Sequence, residues 1–183
     1  MKKGLILMAD GVEECEALMV VDCVRRANLP IDMASISDSL IVTSAHNIEL
    51  KCDVCLNAVE LTNYDYLVVP GGKVGVDNLA ASQLVSDTIA HFVSNQQLVA
   101  AICAGPSVIS RLGYLDGKKY TVYPGFENFS DKAIFTNTSC EVEDNFITAN
   151  GLGAEFAFIK AILTNIANET IANQVLTSIQ YKC

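Results

Sequence analysis

The sequence predicts an α/β fold in which a mostly parallel sheet carries helices on both faces. Apolar runs alternate with amphipathic segments along the chain, as strands and helices do in such folds. The strand-like runs are apolar at nearly every position, which is typical of strands buried on both faces. Because no repeat, low-complexity tract or linker interrupts this order, we expect a single domain over residues 1–183.

The first half of the chain contains three of these strands. Gly4–Ala9 is a continuous apolar run, and Val12–Ala27 after it has apolar residues at helical spacing. Ile31–Ile36 is predicted as the second strand. Tyr66–Pro70 is the third, and it stops at Gly71-Gly72, where backbone without side chains can turn tightly or approach a ligand.

The second half continues the alternation. A helix is predicted over about Ser82–Ser94, and Leu98–Ile102 is another apolar strand. Ala104–Leu112 is predicted as a helix with Pro106 in its first turn, where the missing N–H costs nothing. The rest of the chain is predicted to contain short strands between residues 120 and 148, then helices at 153–167 and 169–179.

Composition and charge exclude several functional classes. The chain has 183 residues, of which 51% are hydrophobic and 18% charged, a balance typical of globular proteins. Its formal net charge of -9 repels phosphate backbones and anionic membrane surfaces, so neither nucleic acid nor membrane is expected as a partner. The first apolar run is too short for a signal peptide, and no stretch has the length of a transmembrane helix. We therefore expect a cytoplasmic protein.

The cysteines indicate free thiols rather than a disulfide framework. They are odd in number, and the chain has no export signal. Cys52 and Cys55 form a C-x-x-C pair, but a zinc site would need a second ligand pair, and only His46 and His91 are available. We therefore expect neither a metal nor another cofactor. The seven cysteines are Cys15, Cys23, Cys52, Cys55, Cys103, Cys140 and Cys183.

Three predicted strands end in residues that can carry chemistry. Asp10-Gly11, with three glutamates close behind, follows the first strand, Gly71-Gly72 follows the third, and Cys103-Ala104-Gly105 follows the fourth. Open α/β sheets bind ligands at the carboxyl ends of their strands. These three segments are therefore expected to converge on one pocket.

Cys103 is the candidate nucleophile of that pocket. It lies between a predicted strand and a predicted helix, and the small Ala104 and Gly105 permit the sharp turn of a nucleophile elbow. A thiol at a helix start faces a positive dipole end and free N–H groups, which favour the thiolate, so Cys103 is expected to be the most acidic thiol of the chain. The alternative is a buried core cysteine at the end of a strand.

The ordered motifs D-G-V-E-E-C-E, V-V-P-G-G, A-I-C-A-G-P and T-A-N-G-L-G resemble those of the ThiJ/PfpI superfamily, and most closely its parkinsonism-associated protein deglycase branch. The resemblance spans nearly the whole chain. It implies a flavodoxin-like three-layer sandwich, a homodimer, no cofactor, and an oxidation-sensitive nucleophilic cysteine at Cys103.

The same resemblance assigns roles to three further residues. It places Glu16 on the glutamic acid that is hydrogen-bonded to the cysteine, and Gly72 and Ala104 on the backbone N–H donors beside it. The charge of a neighbouring thiolate disfavours ionisation of a carboxyl. Glu16 would therefore keep its proton and donate a hydrogen bond to the sulfur. The alternative for Glu16 is a solvated acid that complements the helix dipole.

Several positions depart from the family pattern. Tyr123 stands where the family has histidine beside the cysteine, and neutral tyrosine is a poor general base. His46 and His91 are expected to be solvated and not to replace it. Ala104 follows the nucleophile where the peptidase branch has histidine, which argues against peptidase activity. Leu152 and Glu155 stand where close relatives have proline and a small hydroxyl residue, so the pocket wall differs.

Three functional classes follow from this pattern. The first is an enzyme that acts on small reactive aldehydes such as methylglyoxal, or on their early adducts with proteins. The second is an oxidative-stress sensor or chaperone in which Cys103 is oxidised to a sulfinate. The third is a binding module without chemistry, in which case Cys103 would not react quickly at neutral pH.

Overall fold

A computed structural model describes residues 2–182, so Cys183 lies outside the described residues. A seven-stranded sheet has the order β10-β11-β7-β6-β1-β2-β5, and every neighbouring pair is parallel except β10 and β11. The strands of this sheet are β1 (Gly4–Met8), β2 (Ile31–Ser35), β5 (Val54–Cys55), β6 (Tyr66–Val69), β7 (Leu98–Ile102), β10 (Cys140–Glu143) and β11 (Phe146–Ala149). Two small pairs lie outside it: β3 (Ile41–Thr43) with β4 (Glu49–Lys51), and β8 (Lys119–Tyr120) with β9 (Ile134–Phe135).

Helices cover both faces of the sheet, which confirms the predicted three-layer α/β fold. One layer is formed by α1 (Glu14–Arg26), α5 (Glu155–Ile166) and α6 (Glu169–Ser178), and the other by α2 (Lys73–Ala81), α3 (Gln83–Ser94) and α4 (Pro106–Arg111). Alternate residues of β1 enter the two cores: Ile6 and Met8 pack toward α1, and Leu5 and Leu7 toward α2 and α3. Both faces of the strand are buried, so it has no polar side.

Two helices differ from the prediction. α2 was not expected, because Gly75 within it lowers helix propensity and Gly71-Gly72 indicates a turn. Ser82 ends α2 and caps α3 by accepting a hydrogen bond from the Val85 N–H. The helix predicted over 104–112 is shorter, because Ala104 and Gly105 belong to the turn that precedes α4. Within residues 2–182, no helix is long and apolar enough to cross a membrane.

Candidate active site

Cys103 lies at a sharp turn between β7 and α4, at the carboxyl edge of the parallel strands. Its φ of +60° is a left-handed conformation that costs a residue with a side chain about 1–3 kcal/mol. Two backbone hydrogen bonds hold the turn: the Cys103 N–H donates to the Ala149 carbonyl at 2.9 Å, and the Tyr123 N–H donates to the Cys103 carbonyl at 2.8 Å. The thiol is thus held at the apex of an elbow, and the residue is only partly exposed.

Glu16 reaches the same point from the first turn of α1. The side chain of Glu13 caps this helix by accepting the Glu16 N–H at 2.7 Å, which fixes the backbone of Glu16. The Glu16 residue is 1% exposed, and its Oε2 accepts the Gly71 N–H at 3.0 Å. The Cys103 thiol and the Leu152 N–H also face this carboxyl closely enough to lower its pKa as hydrogen-bond donors. Glu16 is therefore not a solvated helix-start acid, which was the alternative from sequence.

Gly71 and Gly72 bring backbone directly against the thiol and the carboxyl. Gly72 has φ +93°, and a Cβ there would lie 2.2 Å from the Gly11 carbonyl oxygen. The N–H groups of Gly72 and Ala104 face the Cys103 sulfur closely enough to lower the pKa of the thiol. The sequence shows the Gly71-Gly72 pair but does not identify Gly71 as a site residue. Only the fold shows that the Gly71 N–H points at Glu16.

Gly71→Ala is expected to force Cys103 and Glu16 apart. A Cβ at Gly71 would lie 2.5 Å from both Cys103 Cβ and Glu16 Oε2, and 3.0 Å from the sulfur. Such overpacking typically costs about 1–3 kcal/mol, so we expect a lower midpoint of thermal unfolding and altered alkylation of Cys103. Gly153→Ala is the control, because a Cβ there would meet nothing within 4 Å. Equal midpoints for the two variants would show that the site tolerates the extra methyl group.

Burial dominates the ionisation of the Glu16–Cys103 pair. It raises the pKa of Glu16 to about 7, against the lowering effect of the hydrogen bonds from Cys103, Gly71 and Leu152. Burial and then the negative charge of Glu16 raise the pKa of the Cys103 thiol to about 12, against the lowering effect of the N–H groups of Ala104 and Gly72. The two groups share a site and titrate as a pair.

These pKa values correct the expectation that Cys103 is an acidic thiol. The helix start and N–H groups act in the predicted direction, but the loss of water around the sulfur outweighs them. At neutral pH the pair therefore holds its negative charge mainly on Glu16, with the thiol as hydrogen-bond donor. Formation of the Cys103 thiolate then requires Glu16 to accept the thiol proton. Glu16 therefore acts as a base and not as a permanently protonated acid.

Three other thiols have pKa values somewhat below that of Cys103, so Cys103 is not the most acidic thiol of the chain. Burial raises the pKa to about 11 at Cys23, Cys52 and Cys140. Cys15 is exposed, and its pKa is raised by burial of the thiol and then by the charges of Glu13 and Glu14, as its flanking carboxylates suggested. None of these four thiols has the carboxyl and N–H partners that surround Cys103.

Neither histidine replaces the missing family histidine. The His46 side chain is 69% exposed, as expected, and its Nδ1 also lies 2.8 Å from Glu14 Oε1. His91 is in the last turn of α3 with its ring against Phe92. Tyr123 is the residue beside Cys103, and its side chain is 49% exposed with the ring close to Gly151. Leu152, which follows Gly151, is 45% exposed.

One group of possible metal ligands occurs among residues 2–182. Carboxylate oxygens of Glu13 and Glu14 and a ring nitrogen of His46 lie within 4.8 Å of one another. Each already has a partner, since Glu13 caps α1 and Glu14 pairs with His46. Cys52 and Cys55 are free thiols.

Comparison with known proteins agrees with this geometry. Residues 2–165 match the family model described as DJ-1/PfpI family. The chain is 30% identical over 176 residues to protein dj-1beta of Drosophila melanogaster, covering 95% of this chain and 94% of the relative. It is 26% identical to the glutathione-independent glyoxalase DJR-1.2 of Caenorhabditis elegans, covering 96% and 94%. The oxidized structure of Toxoplasma gondii DJ-1 superposes with a TM-score of 0.95 at 27% identity, covering all of both chains. These matches confirm the resemblance seen in the motifs, and the chain belongs to the DJ-1/PfpI family.

Proposed function

We propose that the protein acts without a cofactor on small reactive aldehydes, or on their early adducts with proteins, with Cys103 as the nucleophile. The observation that carries this proposal is the convergence on one sulfur of a carboxyl with a raised pKa and the N–H groups of Gly72 and Ala104. A relative named as a glutathione-independent glyoxalase supports the same chemistry.

The first step forms a hemithioacetal. Glu16 accepts the thiol proton, the sulfur bonds to the aldehyde carbon, and the electron pair of the C=O π bond moves onto oxygen. The Gly72 and Ala104 N–H groups are placed to stabilise that oxygen, and such donors are typically worth about 10² to 10³ in rate. Glu16 then returns the proton to the oxygen.

With methylglyoxal, the next steps are an internal redox shift and hydrolysis. Glu16 removes the proton from the former aldehyde carbon, and a proton is returned to the neighbouring ketone carbon. The hydroxyl proton on the former aldehyde oxygen passes to the former ketone oxygen, which completes the conversion of the hemithioacetal into a lactoyl thioester. Water then cleaves the thioester to lactate and restores the thiol. The overall balance is methylglyoxal plus water giving lactate, so no external oxidant or reductant is needed.

The test is consumption of methylglyoxal by the purified protein in the absence of glutathione, with lactate quantified. A protein-adduct arm uses an arginine peptide pretreated with methylglyoxal. Formation of lactate from the free aldehyde supports glyoxalase activity. Loss of the methylglyoxal adduct from the peptide, at a rate above its spontaneous decay, supports deglycase activity. Absence of both, with correctly folded protein, would contradict the proposal.

A second candidate is an oxidative-stress sensor. The donors that would hold an oxyanion can also hold sulfinate oxygens, and peroxide would supply the oxygen atoms as the sulfur is oxidised. A related structure is described as oxidized. Mass spectrometry after mild peroxide treatment should find Cys103 as the sulfinate before any other cysteine. We do not propose peptidase activity, because Ala104 follows the nucleophile.

We also propose that the protein is a homodimer. Leu18, Tyr123 and Leu152 are large apolar side chains that are between 37% and 49% exposed, and they lie at α1 and around the Cys103 site. A second copy of the chain would cover such side chains. Light scattering coupled to gel filtration gives the mass, and a monomer at all concentrations would contradict this proposal.

Tyr123→His is expected to increase aldehyde turnover. The substitution places an imidazole, which titrates near neutral pH, beside Cys103, and a positioned general base contributes roughly 10² to 10⁴ in rate. Since Glu16 already provides one base, we expect a smaller gain, about tenfold at pH 7, which is below that range. Tyr181→His, at another partly exposed tyrosine, is the control. A loss of turnover would show instead that the tyrosine ring itself contributes to binding.

A further inference from the structure

Glu155 is a second buried carboxyl close to the site, and the mechanism above does not use it. It is the first residue of α5 and is 1% exposed. Neither of its side-chain oxygens has a hydrogen-bond partner among the described residues. It directly follows the short turn Leu152–Ala154, whose Leu152 N–H faces Glu16.

Among residues 2–182, no positive charge faces this carboxyl. The charges that act on it are those of Glu16 and Glu13, and it acts in turn on the thiols of Cys15 and Cys23 along α1. The cations of α1, Arg25 and Arg26, are at the opposite end of that helix. The ionisable groups on the other elements packed against α5 are Cys140, Glu141 and Glu143 of β10 and Glu169 of α6, and Lys160 lies on α5 itself.

A carboxylate in this position would be an unpaired buried charge beside other acids. Such a charge is accommodated by keeping the proton, because the neutral acid needs far less solvation. Burial, with smaller effects from the charges of Glu16 and Glu13, raises the pKa of Glu155 to about 9.

We infer that Glu155 is a positioning residue of the Cys103 site, a neutral carboxylic acid whose ionisation in alkaline solution places a second negative charge behind Glu16 and suppresses the thiolate of Cys103. The inference rests on the proposed function only in taking Cys103 as the nucleophile. It acts through Glu16 and the turn at Leu152, and it makes no contact with substrate.

The first test compares Glu155→Gln with the wild type. Glu169→Gln, compared with the wild type in the same way, is the control. Gln has nearly the shape of the protonated acid but cannot ionise, and Glu169 is an exposed glutamate at the same first position of the next helix. Iodoacetamide labelling of Cys103 is followed by mass spectrometry from pH 6 to pH 10. We expect the ratio of the Glu155→Gln rate to the wild-type rate to rise by about tenfold between pH 7.5 and pH 10, the effect of one pKa unit. A constant ratio, as expected for Glu169→Gln, would overturn the inference.

The second test is thermal stability against pH. Because the folded-state pKa of Glu155 lies above its unfolded value, its contribution to stability is complete below about pH 4.5 and declines as the pH rises toward about 9. The melting temperature of Glu155→Gln, relative to that of the wild type, should therefore rise across that pH range. The rise should continue between pH 7 and pH 9, where Glu16 no longer contributes to the change of stability with pH. A relative rise in melting temperature that is confined to below pH 7, or the absence of any rise, would overturn the inference.

A spectroscopic measurement on the wild type keeps the inference testable if Glu155→Gln does not fold. Infrared difference spectra of the wild type with labelled glutamate should show the band of a protonated carboxyl at pH 8, and this band should be lost by pH 10. Glu155→Ser, which introduces a small hydroxyl, should lack the band. Absence of the band in the wild type would overturn the inference. Labelling and melting differences without any aldehyde turnover would support the role of Glu155 and contradict the proposed enzymatic function.

Discussion

Cys103→Ser is expected to lower aldehyde turnover by roughly three orders of magnitude or more, because a hydroxyl in the same place is a much weaker nucleophile than a thiol. Serine keeps the size of the side chain and the left-handed turn at φ +60°, so folding should be preserved. The measurement is methylglyoxal consumption with lactate formation, together with the midpoint of thermal unfolding. The same variant should lose the sulfinate that peroxide forms.

The control for this variant is Cys140→Ser. Cys140 is also partly exposed and its thiol pKa is raised by burial, but it lies on β10 and has no carboxyl partner. It should keep full turnover. Retention of turnover in Cys103→Ser, or its loss in Cys140→Ser, would show that the elbow thiol is not the nucleophile.

Glu16→Gln is expected to lower turnover by about 10² to 10⁴, the usual contribution of a positioned general base. Gln can still accept the Gly71 N–H, so the geometry of the pocket should persist. Because Glu16 must be ionised to accept the thiol proton, and its pKa is raised to about 7, wild-type turnover should rise with pH through about 7. The variant should lack that rise. Alkylation of Cys103 by a small neutral reagent should change much less than turnover.

The same variant should be more stable than the wild type at neutral pH. The folded-state pKa of Glu16 lies above its unfolded value near 4.5, so the wild type loses stability as the pH rises from about 4.5 to about 7. Gln removes this loss, and we expect a gain of roughly 1–3 kcal/mol at pH 7 and none at pH 4. Turnover and stability would then change in opposite directions. A variant that is both inactive and less stable would indicate a structural role for Glu16.

Much of the fold could be predicted because its strands are buried on both faces. The apolar runs at β1, β6 and β7 have no polar residues to obscure them, and each ends in residues with an evident chemical role. The hairpin of β3 and β4 and the two-residue strand β5 were not predicted, since segments this short have no clear period.

The motifs propose members for the candidate site, but the sequence does not indicate the electrostatics of these residues. Cys103, Glu16, Gly72 and Ala104 come from motifs and remain predictions until their variants are measured. The ionisation of the pair depends on how much water the fold removes, and the local sequence around Cys103 indicates only the helix start and its N–H groups. For the same reason, the contact of Gly71 with Glu16, 55 residues earlier, could not be seen from sequence.

The packing of Gly71 and Gly72 also determines how the protein can evolve. Side chains cannot be added at these two positions without striking Cys103, Glu16 or the backbone of Gly11, so one wall of the pocket is closed to mutational change. Tyr123 and Leu152 are partly exposed within one protomer, so substitutions there meet no such steric limit inside the fold. New substrate preferences in this lineage should therefore arise at 123 and 152, and a laboratory library intended to change the aldehyde accepted should randomise those two positions.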